Sequence, residues 1–86
     1  MGPKPTRVTN QIRALRAEAG NMTQADLAQR LGVTRQTVIA IEQGRYSPSL
    51  EMAFQIARIF GRPLDDVFHY DDSRMQPIHR PGATSS

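Results

Sequence analysis

The sequence predicts an all-α domain of five helices. Apolar residues recur at helical spacing through successive segments. Cap residues open those segments at Thr23, Thr34 and Ser49, and glycines close them at Gly32, Gly44 and Gly61. No run carries a strong strand signal, and there is no internal repeat.

Residues 1–8 contain Pro3 and Pro5, show no periodicity, and read as a flexible arm. The first helix is expected from about Thr9 or Asn10 to Ala19, burying Ile12, Leu15 and Ala19. Gly20-Asn21 forms a turn, and Met22 packs against that helix. Thr23 opens the second helix, and Asp26 three residues on completes a capping-box pair. Ala25, Leu27, Ala28 and Leu31 form its apolar stripe, and Gly32 ends it where a left-handed residue is cheapest. Val33 plugs the turn into the core. Thr34 caps a third helix over 34–43, with Val38 and Ile41 inward and Gln36, Ile39, Ala40 and Gln43 on the other side. The fourth helix follows Ser49 with Glu51 in its first turn, burying Leu50, Ala53, Phe54, Ala57 and Phe60. A short fifth helix runs from Leu64 to Phe68, led by Asp65 and Asp66. From Asp71 the chain has two prolines and small polar residues, and reads as a disordered tail. The expected layout is therefore an arm over 1–8, a domain over 9–70 and a tail over 71–86.

Composition narrows the function. Eighty-six residues allow one small domain. The absence of cysteine excludes disulfides, thiolate metal sites and thiol catalysis, and fits a reducing cytosol. No apolar run is long enough to span a membrane, and the first residues lack the apolar centre of a signal peptide, so a cytoplasmic location is expected. Residues 1–45 carry seven basic groups against three acidic ones, whereas residues 46–86 carry four against five. The basic half holds the two short central helices, as contact with nucleic acid requires.

Other chemistry finds little support. His69 and His79 stand ten residues apart with no cysteine partners, which is not a zinc pattern. Asp65, Asp66, Asp71 and Asp72 read as solvated charges and not as a metal site. No Gly-rich phosphate loop or nucleophile–base pairing is visible, so neither an enzyme, a metal nor a cofactor is expected.

Two short helices joined by a tight turn, the second with a polar outer face, suit placement of a helix in the major groove of double-stranded DNA. Bases are read by residues near the N-terminus of such a helix, here Arg35, Gln36, Ile39, Ala40 and Gln43 on its outer face. Arginine pairs with guanine and glutamine with adenine, each good pair being worth about 1–3 kcal/mol of discrimination; Ile39 and Ala40 suit thymine methyls. Thr34 and Thr37 can donate to phosphates, and Arg45 lies toward the backbone. Lys4 and Arg7 add unspecific attraction.

The runs Gln24-Ala25-Asp26-Leu27-Ala28, Gly32-Val33-Thr34-Arg35-Gln36-Thr37-Val38 and Ile41-Glu42-Gln43-Gly44-Arg45 resemble the phage-repressor helix-turn-helix family of Cro and lambda-repressor type. Pro48-Ser49-Leu50 and Ala57-Arg58-Ile59-Phe60-Gly61 continue the likeness, which covers roughly residues 9–68. It implies a lambda-repressor-like fold with the helix-turn-helix at helices 2 and 3, and base readout at Arg35, Gln36, Ile39 and Ala40. It also implies a backbone contact from Gln24, which clamps the strand; Thr34, Thr37, Gln43 and Arg45 are expected to contact the backbone beside it. Arg16 and Glu42 are expected to form a structural ion pair bracing helix 1 against the recognition helix. Pro63 departs from the family, which often has a serine-like cap there.

One recognition helix covers few base pairs, so a homodimeric repressor or autoregulator on an inverted repeat is expected. Its dimer surface is placed at Leu64, Val67, Phe68 and Tyr70, with Ile59 beside them. The alternative is an antitoxin that binds its own operator and neutralises a toxin protein through the tail or helix 5, with Tyr70, Met75 and Ile78 as anchors.

Overall fold

The computed structural model describes residues 6–72. Its order is β1 (Val8–Asn10), α1 (Ile12–Glu18), α2 (Gln24–Leu31), α3 (Arg35–Glu42), α4 (Leu50–Phe60), α5 (Leu64–Val67) and β2 (Phe68–Tyr70). The five expected helices are present. The expected tail lies, from Ser73 onward, outside the described residues, and so do residues 1–5 of the expected arm.

Local signals set the helix ends. Thr23 Oγ1 accepts from the Asp26 amide at 2.9 Å, and the Thr23 amide donates back to Asp26 Oδ2 at 3.2 Å, a complete capping box. Thr34 Oγ1 accepts from the Thr37 amide, and Ser49 Oγ from the Met52 amide. After α2 the chain reverses through Gly32 at φ 73°, and the Val33 amide reaches back to the Ala28 carbonyl at 3.0 Å. Gly44 repeats this device after α3, where the Arg45 amide donates to the Ala40 carbonyl at 3.0 Å.

The two short strands were not foreseen. β1 pairs antiparallel with β2, Val8 opposite Tyr70, Thr9 opposite His69 and Asn10 opposite Phe68. The arm expected over 1–8 therefore ends earlier, because Val8 lies in β1 and the Thr6 amide donates to the Gly44 carbonyl at 3.1 Å. Pairing also delays α1: Asn10 Oδ1 accepts from the Ile12 amide while Asn10 Nδ2 donates to the Ile41 carbonyl, so one side chain opens α1 and fastens it to the end of α3.

Ile12, Leu15, Leu27, Ala28, Val38, Ile41, Ile56, Ala57 and Val67 form the core, with Met22, Leu31, Val33 and Phe60 among the residues packed around it. Burial on α4 departs from expectation. Ala53, Ile56 and Ala57 face inward, whereas Leu50 is 69% exposed and Phe54 49% exposed. Phe54 lies about 100° round the helix from Ala53, on the flank away from Ile56. Ala19 is exposed because α1 stops at Glu18 and the chain turns through Gly20 and Asn21, both at positive φ. Ala25 is likewise exposed. Helix α5 is a single turn whose N-cap, Pro63, makes no side-chain cap bond.

Candidate nucleic-acid interface

Helix α3 is fixed from behind by Val38 and Ile41, both buried. That docking turns Arg35, Gln36 and Gln43 to solvent and leaves Thr37, Ile39 and Ala40 half-buried. Arg35 and Gln36 have no side-chain hydrogen bond or ion pair among the described residues. Thr34 Oγ1 and Thr37 Oγ1 lie 3.1 Å apart and share a hydrogen bond. Arg45 Nε donates to Gln43 Oε1 at 2.8 Å, which ties together two of the expected backbone contacts at the far end of α3.

Behind this face stands the ion pair. Arg16 grips Glu42 in bidentate fashion, Nε to Oε2 at 2.7 Å and Nη2 to Oε1 at 3.1 Å. Arg16 Nη1 also donates to the Met22 carbonyl at 2.8 Å. The two side chains are 14% and 8% exposed, so the pair is largely withdrawn from water, and among the described residues no buried side-chain nitrogen or oxygen lacks a partner. It joins α1, the turn before α2, and the last residue of α3 into one unit. Gln24 belongs to the same network, since its Nε2 donates to Glu42 Oε1 at 3.1 Å. Sequence reasoning placed Gln24 on the backbone of DNA; the structure gives it a partner within the fold, which uses one of its two amide hydrogens and orients the rest of the group.

These elements enclose an open groove of about 710 Å³ whose lining includes Arg13, Arg16, Gln24, Arg35, Glu42 and Gln43. Arg13 was missed by sequence reasoning. Its position three residues before Arg16 on α1 puts it on the same side of the helix, the signal in the sequence that marks it.

The residues expected to form a dimer surface separate into two groups. Val67 is 0% exposed and packs in the core, so it offers nothing to a partner and the expectation for it is corrected. Leu64, Phe68 and Ile59 are half-buried against that core, and Tyr70 is 53% exposed. Of the antitoxin anchors, Met75 and Ile78 lie outside the described residues, as does His79.

Among the described residues no three His, Asp or Glu side chains gather as metal ligands would, and no helix is long and apolar enough to cross a membrane. Asp66 lies 3.8 Å from Arg62, whose other nitrogen reaches Glu18 at 2.7 Å.

The fold defines a class, small helical domains that present one short helix on a braced support. The chain belongs to the helix-turn-helix family, whose pattern it matches over residues 12–67. That family comprises DNA-binding transcriptional regulators and not enzymes. An uncharacterised helix-turn-helix-type transcriptional regulator of Methanocaldococcus jannaschii is 54% identical over 63 residues, covering 73% of this chain and 94% of the relative. A regulator of the same description from Bacillus subtilis is 44% identical over 63 residues, covering 73% and 94%. The cryptic phage CTXphi transcriptional repressor RstR of Vibrio cholerae is 34% identical over 59 residues, covering 69% of this chain and 52% of that one. A solved structure from Bacteroides fragilis, described as a candidate DNA-binding protein, shares the fold with a TM-score of 0.65 at 22% identity, over 72% of this chain and 98% of that one.

Proposed function

We propose that this chain is a sequence-specific regulator of transcription that reads double-stranded DNA by inserting α3 into the major groove, α2 and α3 forming the helix-turn-helix. The observation that supports this best is the state of Arg35 and Gln36. They stand exposed in the first turn of α3, without partners among the described residues, on a helix whose back is locked by Val38 and Ile41. Side chains held ready on a rigid support are what base recognition needs. In this reading Arg35 and Gln36 bond to base edges, and Ile39 and Ala40 touch thymine methyls. Gln24, Thr34, Thr37, Gln43 and Arg45 hold the sugar–phosphate backbone. The acting species is a homodimer on an inverted repeat, joined through Tyr70 with Leu64, Phe68 and Ile59, and repression or autoregulation is its role. The likeness to a phage repressor supports that role. If each subunit neutralises about three phosphates, the log–log salt slope of the dimer is about −5.

Selection from a random duplex library, run in parallel with the Arg35→Ala/Gln36→Ala variant, tests this. Enrichment of an inverted repeat by the wild-type protein, lost in the variant, is the expected result. Equal enrichment of one sequence by both proteins removes the readout role of these two residues, and no enrichment by either removes direct readout altogether.

A further inference from the structure

The groove beside α3 has a floor that is already neutralised. All three guanidinium nitrogens of Arg16 are engaged, two on Glu42 and one on the Met22 carbonyl, and Glu42 also accepts from Gln24. Two further arginines line the same groove, Arg13 from α1 and Arg35 from α3. Both are exposed, and neither side chain has a hydrogen bond or ion pair among the described residues. Glu42 is the only carboxylate in the lining and its charge is met by Arg16. The groove therefore presents two uncompensated cations, one from each of two helices.

An uncompensated guanidinium is matched by a phosphate, whose oxygens fit its planar fork in bidentate fashion. Arg35 and Gln24 already belong to the proposed DNA face, and Arg13 shares a groove with both. We infer that Arg13 is a phosphate-binding residue and that α1 thereby contributes to the DNA seat alongside α3. The inference rests on the DNA reading above and adds to it. In this arrangement Arg13 fixes how α3 enters the groove without reading sequence, because phosphate contacts set register and orientation only. A carboxylate-rich protein segment would satisfy the same two cations, but it gives no part to the base-reading side chains alongside.

The test titrates wild type, Arg13→Ala, Arg13→Lys and Arg35→Ala against the selected duplex and an unrelated duplex of the same length, over a range of salt concentrations. Arg13→Ala is expected to weaken binding to both duplexes by a similar factor and to flatten the log–log salt slope by about 0.9 per subunit. Arg13→Lys is expected to keep the slope, since the charge remains. Arg35→Ala is expected to erode the ratio between the two duplexes instead. An Arg13→Ala variant with wild-type affinity and slope overturns the inference while leaving the DNA reading intact. A loss confined to one of the two sequences also overturns it, by making Arg13 a reader of bases. A wild-type protein that binds neither duplex overturns both readings together.

Discussion

The α2–α3 unit and the closing segment α5–β2 are built in opposite ways. In α2–α3 both helices begin on a side chain that accepts from their own first turn, and a left-handed glycine turns the chain away after each, Gly32 as the cap of α2 and Gly44 just past the cap of α3. The closing segment has one helical turn and no side-chain cap. It is held instead by residues far away in sequence, through the Gln11 amide on the Val67 carbonyl at 2.9 Å, the burial of Val67, and the pairing of Phe68–Tyr70 with Val8–Asn10. The part proposed to meet DNA is thus specified by its own neighbours. The part that closes the domain is held by contacts distant in sequence.

The largest expected effect breaks the brace of the first region. Glu42→Ala leaves the Arg16 guanidinium withdrawn from water without its partner, and a loss of about 3–5 kcal/mol is expected in urea unfolding. Replacing the pair together, as Arg16→Met/Glu42→Leu, is expected to cost much less, because no charge is stranded. A double variant as unstable as the single one would show that the pair holds the fold by geometry and not by charge compensation.

Next in size is Val67→Ala in the closing segment. Removing methyl groups from a fully enclosed site is expected to cost about 2 kcal/mol. The cost should not change with protein concentration, since the side chain faces the core of its own subunit. A concentration-dependent loss would return Val67 to a subunit contact and weaken the contrast between the regions.

The smallest effect concerns a cap alone. Thr34→Ala removes the acceptor for the Thr37 amide and is expected to lower stability by about 1 kcal/mol. Pro63→Ala, which removes no cap bond, serves as its counterpart in thermal melts. A larger drop at Pro63 than at Thr34 would mean that local capping does not distinguish the two regions.

How much of this was legible follows the same division. Thr23 with Asp26, Thr34, Ser49 and the glycines at 32, 44 and 61 act within four or five residues of themselves, and each marks a helix end where the sequence put it. The strands were not legible. Each is three residues long, too short for alternation to register, and its partner lies at the other end of the domain. The inward face of α4 was misjudged because Leu50, Phe54 and Ile56 are all large and apolar, and which of them faces inward depends on how the helix is rotated against α2 and α5. At the candidate site, the Arg16–Glu42 pair came from family likeness and stands in the structure. The Gln24 bond to Glu42 and the shared groove of Arg13 and Arg35 depend on how three helices meet, which no single stretch of sequence encodes.

The pairing of β1 with β2 means that the chain enters and leaves the domain through neighbouring strands. Opposed residues in such a ladder lie about 5 Å apart, so the whole unit can be spliced into a surface loop of another protein without stretching either. The same closeness permits circular permutation, with a short linker joining the old ends and new ones opened elsewhere, for instance at the exposed Gly20-Asn21 turn. Seen this way, the two small strands are a clasp that makes the domain a portable cassette, with its exposed α3 face carried along intact.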